Sequence, residues 1–137
     1  MSPSPSTLLT QLETAPDNFC YAWADLFTQL KFNAQGLIPA IAQCTRTKQV
    51  LMLAWMNIAA LEKTLATQEV HYFSRSRNQL WRKGETSGHT QHLINLRVDC
   101  DGDTLLLEID QQGPACHTNR PSCFYHLVTP PTAQISI

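Results

Sequence analysis

Long apolar runs, a charge excess of either sign and paired cysteine knuckles are all missing from this sequence. No stretch approaches the roughly 20 consecutive apolar residues that a bilayer-spanning helix needs, so no membrane partner is expected. With 10 Lys and Arg against 11 Asp and Glu, the net charge of -1 supplies no general field to draw in nucleic acid or an anionic lipid surface. Any anion binding must then be local. The start, "MSPSPSTLLTQLETAPDNF", lacks a basic segment followed by an apolar core and is not Arg-rich. It reads as neither a secretory signal nor a transit peptide, and a cytoplasmic protein is expected. Five cysteines, an odd number, argue against a closed disulfide framework, and no C-x2-C pair of the finger or ribbon kind occurs. In a reducing compartment, clustered thiols point to metal or catalysis.

The 137 residues, 43% hydrophobic and 15% charged, fit one globular domain with its own core. The Ser/Pro-rich residues 1–18 read as a flexible tail and residues 19–137 as the domain. "DLFTQLKF" (25–32) has a weak helical period. "GLIPAIAQC" (36–44) and "VLMLAWM" (50–56) read as a hairpin. "NIAALEKTLATQ" (57–68) is the clearest helix, with Asn57 as N-cap and Ile58, Leu61 and Leu65 as its apolar stripe. "VHYFSRS" (70–76) returns to β character. "RNQLWRKGETSGHT" (77–90) is polar and long for a connection, a common sign of function. "HLINLRVD" (92–99) alternates Ile94, Leu96 and Val98 against Asn95, Arg97 and Asp99. Its partner is "TLLLEID" (104–110), and Asp101-Gly102 between them signals a two-residue hairpin turn. The pattern is α+β, β-rich, with one main helix.

Chemistry-bearing residues gather in three places. "VDCDGD" crowds Asp99, Asp101 and Asp103 around Cys100 at the expected hairpin tip. Such a cluster is unfavourable unless a cation sits among the carboxylates, and oxygen-only donors suit magnesium or calcium. No glutamate closes an EF-hand, and the alternative is a solvated acidic turn. On extended backbone the aspartates would share one face, with Cys100 on the other. "GPACHTNRPSC" adds Cys116, His117 and Cys123. Three thiolates without an obvious fourth ligand suit a catalytic zinc with an open position, and His117 is the adjacent candidate base. A structural Cys3His zinc and unrelated buried cysteines fit the spacing too; Cys20 and Cys44 stand apart and read as incidental. The third place is the loop: "SRSR" and "WRKGETSG" carry guanidiniums, hydroxyls and glycines of the kind that hold phosphate, without the order of a Walker A motif. Trp81 offers a face for a base or sugar. Together these suggest zinc-dependent hydrolysis of a phosphorylated heterocycle. The nucleobase-deaminase signature, H-x-E with P-C-x-x-C, is absent. The rival class is a zinc-stabilised module that binds a phosphorylated ligand without turning it over.

"FNAQGLIPAIAQ", "VLMLAWMN", "SRSRNQLWRKGETSG", "VDCDGDTLLLEIDQQGPACHT" and "SCFY", in that order from about Lys31 to Tyr125, resemble phosphoribosyl-AMP cyclohydrolase of histidine biosynthesis. The resemblance implies water addition at C6 of the purine of 1-(5-phosphoribosyl)-AMP, with opening of the N1–C6 bond. It implies an element-exchanged homodimer whose antiparallel sheets form a pseudobarrel. Zinc would be shared across the interface by Cys100 of one subunit and Cys116 and Cys123 of the other. It also implies magnesium at Asp99, Asp101 and Asp103, and a catalytic role for His117. Substrate contacts are expected at Ser74, Arg75, Ser76, Arg77, Trp81, Lys83, Gly84, Glu85, Thr86 and Ser87. Three positions depart from the usual pattern: Asn119 stands where glycine is common, His89 where Asn is frequent, and Cys44 where Asp is frequent. Asn119 is expected to keep a left-handed turn. The sequence stops soon after "SCFYHLV", so the fused pyrophosphohydrolase domain of some relatives is not expected.

Overall fold

The computed structural model describes residues 27–137, together with Glu13 and Asp25. Apart from Glu13, the tail expected over 1–18 lies outside the described residues, as does Cys20. Asp25 and Phe27 are helical, and a turn follows at 28–29. Lys31 N–H then donates to the Gly102 carbonyl at 2.7 Å, so the helix expected over 25–32 stops short of its anticipated end.

Strand β1 (Ile38–Cys44) buries alternate residues, Ile38, Ala40, Ala42 and Cys44, as its period of two requires. It pairs antiparallel with β2 (Val50–Met56), and the register shifts at Ala42/Gln43. Helix α1 (Ile58–Thr67) follows. Asn57 caps it by accepting the Ala60 N–H at 2.8 Å, and Gln68 in the left-handed region ends it. The buried face is Ala60, Leu61 and Thr64, with Leu65 packed partly buried against the core; of the expected stripe only Ile58, 48% exposed, faces away. Strands β3 (His71–Ser74) and β4 (Gln79–Arg82) form a two-stranded antiparallel sheet. The long connection expected over 77–90 therefore contains a strand, which starts after a turn at 75–78.

Strands β5 (Gln91–Val98) and β6 (Leu105–Gln111) make the second long hairpin. Leu93 pairs with Ile109 and Asn95 with Glu108, so Ile94 is the extra residue of a bulge. Past it Leu93, not Ile94, shares the inward face with Leu96 and Val98. Ile94 is 47% exposed, contrary to the simple alternation. The main sheet runs β2-β1-β6-β5, and β1 meets β6 in parallel from Ala40 onward. Pro39, which has no N–H to give, sits just before that parallel pairing starts. The expectation of purely antiparallel sheets is thus corrected. A third small sheet joins β7 (Leu127–Thr129) to β8 (Gln134–Ser136).

The described residues form no closed barrel within one chain; the architecture is α+β, strand-rich, with one helix and mixed sheets. One core unites the main sheet, the β3–β4 sheet and the helix, with Ile38, Met56, Leu61, Val70, Tyr72, Leu105, Leu107 and Ile109 all fully buried. Among the described residues, no helix is long and apolar enough to cross a membrane.

Candidate active site

The β3–β4 hairpin carries the basic loop on an aromatic and amide support. Tyr72 pairs with Trp81 across the two strands, their ring centroids 5.3 Å apart. The fully buried Tyr72 hydroxyl donates to Gln91 Oε1 at 2.7 Å, and Gln91 Nε2 donates to Gln111 Oε1 at 2.8 Å. Beyond Trp81 the chain closes on itself: Arg82 N–H donates to the Glu85 carboxylate at 3.2 Å, and Gly88 N–H to the Gly84 carbonyl at 2.8 Å. Gly84 is obligatory here, because its φ is +84° and a Cβ would lie 2.5 Å from the His89 carbonyl carbon. The result is a pocket of about 200 Å³ lined by Arg77, Trp81, Arg82, Lys83, Gly84, Glu85, Thr86 and Ser87.

Seven of the expected substrate contacts line that pocket, and with them Arg82, the guanidinium that "WRKGETSG" contributed to the phosphate-type loop. Ser74, Arg75 and Ser76 are placed elsewhere. The two serine hydroxyls lie 3.4 Å apart in the hairpin turn, and the Arg75 guanidinium stands 4.9 Å from the centroid of Trp55.

The second component is the turn from Ala115 to Cys123. Asn119 N–H donates to the Cys116 carbonyl at 3.0 Å, and Asn119 takes a left-handed φ of 65°, as its replacement of glycine required. Ser122 Oγ donates to the Val50 carbonyl at 2.8 Å and Cys123 N–H to the Leu51 carbonyl at 2.7 Å, which fastens the turn to β2. Cys116 is buried and Cys123 exposed, and each thiol acts on the acidity of the other. The Thr118 hydroxyl donates to Cys116 Sγ at 3.0 Å and, with the Thr118 backbone, is the main reason its pKa falls below the usual thiol value. Desolvation chiefly, helped by the Cys116 charge, pushes Cys123 up. Two such thiols with split acidities suit a soft divalent ion. His117 is exposed beside them.

Lys83 joins pocket and thiols. Its Nζ donates to the Ala115 carbonyl at 2.6 Å and lies 5.7 Å from the Trp81 ring centroid. Desolvation pulls its pKa down, while the Cys123 and Cys116 charges push it back up.

The third component is the β5–β6 tip. The turn is longer than the expected two residues, since Asp99 N–H donates to the Thr104 carbonyl at 3.1 Å and residues 100–103 lie between. Gly102, φ 75°, donates to the Asp99 carbonyl at 3.0 Å. Asp99 Oδ1 accepts the Asp103 N–H at 3.0 Å. One oxygen from each of Asp99, Asp101 and Asp103 lies within 4.8 Å of the others, all three residues being exposed. Such a set fits a hard cation. Burial pushes Asp99 up, but hydrogen bonds from Asp103, Thr104 and Gly102 outweigh it and hold the carboxyl low; Asp103 is raised by its hydrogen bond with Asp99. Among the described residues the carboxylate trio is the one cluster of three metal-type ligands. Cys100, exposed on the same tip, does not meet Cys116 and Cys123 within one chain. The pair thus offers a metal two sulfur ligands from one chain.

A family model described as phosphoribosyl-AMP cyclohydrolase matches residues 52–125, which span β2 to the segment after Cys123. A protein of that name from Halorhodospira halophila is 59% identical over 121 residues, 88% of this chain and 85% of its own length. One from Chromohalobacter salexigens is 58% identical over 125 residues, covering 91% and 86%. A third, from Granulibacter bethesdensis, is 67% identical over 102 residues, covering 74% and 80%.

Proposed function

The chain belongs to the phosphoribosyl-AMP cyclohydrolase family and is an enzyme of the hydrolase kind, and from that premise we propose that it opens the purine ring of 1-(5-phosphoribosyl)-AMP with water in histidine biosynthesis. The water oxygen bonds to C6, the N1–C6 bond breaks, and N1 receives a proton. Cys116 and Cys123 of one protomer, with Cys100 of a second, would hold zinc, which when bound supplies a Lewis acid that makes water a better nucleophile. Asp99, Asp101 and Asp103 would hold magnesium near substrate phosphate. The separation of Cys100 from the thiol pair supports a homodimer as the working unit.

The chain's own groups divide the remaining work. His117, exposed next to Cys116, removes a proton from the water and returns it to N1. Arg77 and Arg82 line the pocket of about 200 Å³ and meet a phosphate with fork-shaped donors. Trp81 gives the bound nucleotide a flat wall, and Glu85 fixes the Arg82 backbone that shapes the pocket. The observation that carries this reading is Lys83, which lines the basic pocket and holds its ammonium against the turn bearing both thiols. Phosphate grip and water chemistry are then one site.

Metal analysis of the purified protein, with turnover of phosphoribosyl-AMP measured before and after chelation, tests the reading. About one zinc per chain is expected, with turnover lost on chelation and restored by zinc and magnesium. Cys116→Ser is expected to stay folded and dimeric but to lose ring opening. Full turnover in that variant, or in metal-free protein, refutes it.

A further inference from the structure

Lys83 sits in unusual company for a phosphate-binding lysine. It is the first residue after β4, and its Nζ turns from the pocket mouth toward the thiol turn, 2.6 Å from the Ala115 carbonyl. Ala115 immediately precedes Cys116. The half-buried ammonium is flanked by the Trp81 ring at 5.7 Å. Among the described residues, the ion pairs to carboxylates engage Arg46, Lys48, His92 and Arg97, not Lys83. The ammonium is tied instead to the carbonyl that immediately precedes the Cys116 thiol. A partly desolvated cation gains from anionic charge that develops close by, and thiolates of Cys116 and Cys123 holding a metal would supply it.

The charge count gives this geometry a purpose. Three thiolates around one divalent zinc leave a net charge of about -1 in a partly water-excluded place. One ammonium next to two of those thiolates brings the local sum to about zero. We propose that Lys83 is a positioning residue that compensates the thiolate charge and so strengthens zinc binding at Cys116 and Cys123. Its reach is not limited to substrate phosphate. The backbone hydrogen bond serves the same end, because it fixes the ammonium to the turn whose sulfurs it neutralises. This inference rests on the zinc reading above and adds a role for a side chain outside the ligand set.

Zinc affinity, measured on the full-length protein by competition with a chromophoric chelator, separates charge from shape. Lys83→Gln removes the charge and leaves a polar amide one bond shorter; Lys83→Arg keeps charge and donor; Arg77→Gln removes a different pocket cation, one without a hydrogen bond to that carbonyl's turn among the described residues. The expected result is zinc affinity about tenfold or more weaker in Lys83→Gln, the scale seen when groups just outside a metal's ligands are removed. Lys83→Arg should recover most of it. Arg77→Gln should leave zinc affinity unchanged while raising KM. Near-parental zinc affinity in Lys83→Gln overturns the proposal, and so does equal weakening in Lys83→Gln and Lys83→Arg, which would assign the effect to shape. Parent protein that binds zinc no more tightly than Cys116→Ser removes the zinc reading itself. That outcome differs from a failure confined to Lys83.

Discussion

Replacing Tyr72 with phenylalanine deletes one oxygen from the support beneath the pocket and leaves the ring in place. The hydroxyl is fully buried and donates to Gln91 Oε1 at 2.7 Å, while Gln91 itself is 0% exposed. Without it the amide oxygen loses that donor inside the protein, a loss of about 1–3 kcal/mol. The ring contact with Trp81 at 5.3 Å remains, so no large cavity term is added. Urea unfolding at pH 7, at one fixed protein concentration, should show Tyr72→Phe less stable by about 2 kcal/mol. A second arm uses alkali. Desolvation chiefly, with the Cys123 charge, pushes the Tyr72 phenol far above its usual value. Above a pH of about 10 the unfolded chain loses this proton and the native chain keeps it. The native state then binds more protons, so stability falls as pH rises, by up to about 1.4 kcal/mol per unit. Phenylalanine has no such proton. The gap between parent and variant should therefore narrow by about 1 kcal/mol between pH 10 and pH 11. A gap under about 0.5 kcal/mol at pH 7, or one that stays constant in alkali, would refute the buried-phenol account.

Gly84→Ala forces a Cβ to within 2.5 Å of backbone at His89 while φ stays at +84°, so the loop must deform. The expected outcome is a KM raised severalfold in steady-state kinetics, together with a stability loss of about 1 kcal/mol or more. Asn57→Ala removes the cap that accepts the Ala60 N–H at 2.8 Å. It should lower stability by about 1 kcal/mol in denaturant melts and leave kcat/KM unchanged. Asp101→Asn removes one charge from the trio whose oxygens lie within 4.8 Å of one another. Calorimetric titration should show weaker magnesium binding, with zinc content retained.

Local pattern made part of this fold legible. Strand β2 and helix α1 appear where a short continuous apolar run, helical periodicity and the Asn57 cap placed them, because those signals are written within a few residues. What was missed depends on distant partners. The parallel meeting of β1 with β6 joins segments about sixty residues apart, which no local period encodes. The bulge at Ile94 came from unequal pairing with β6, and β4 was hidden because "QLWR" is short and lies in a polar stretch. At the site, the carboxylates converge because they share one short tip, and the basic pocket forms because its residues are consecutive. The bond from Lys83 to the Ala115 carbonyl was illegible, since it crosses between separate loops.

The turn bearing the thiols has a consequence for solubility. Strand β2 lies at the border of the main sheet, and Ser122 and Cys123 occupy carbonyls along that border. If the segment peeled away, it would bare "VLMLAWM", seven uncharged, β-prone residues able to recruit a foreign strand. Anything that fastens Cys123 in place therefore also guards the protein against self-association, and if zinc is held there as proposed, metal starvation should announce itself as turbidity as well as silence.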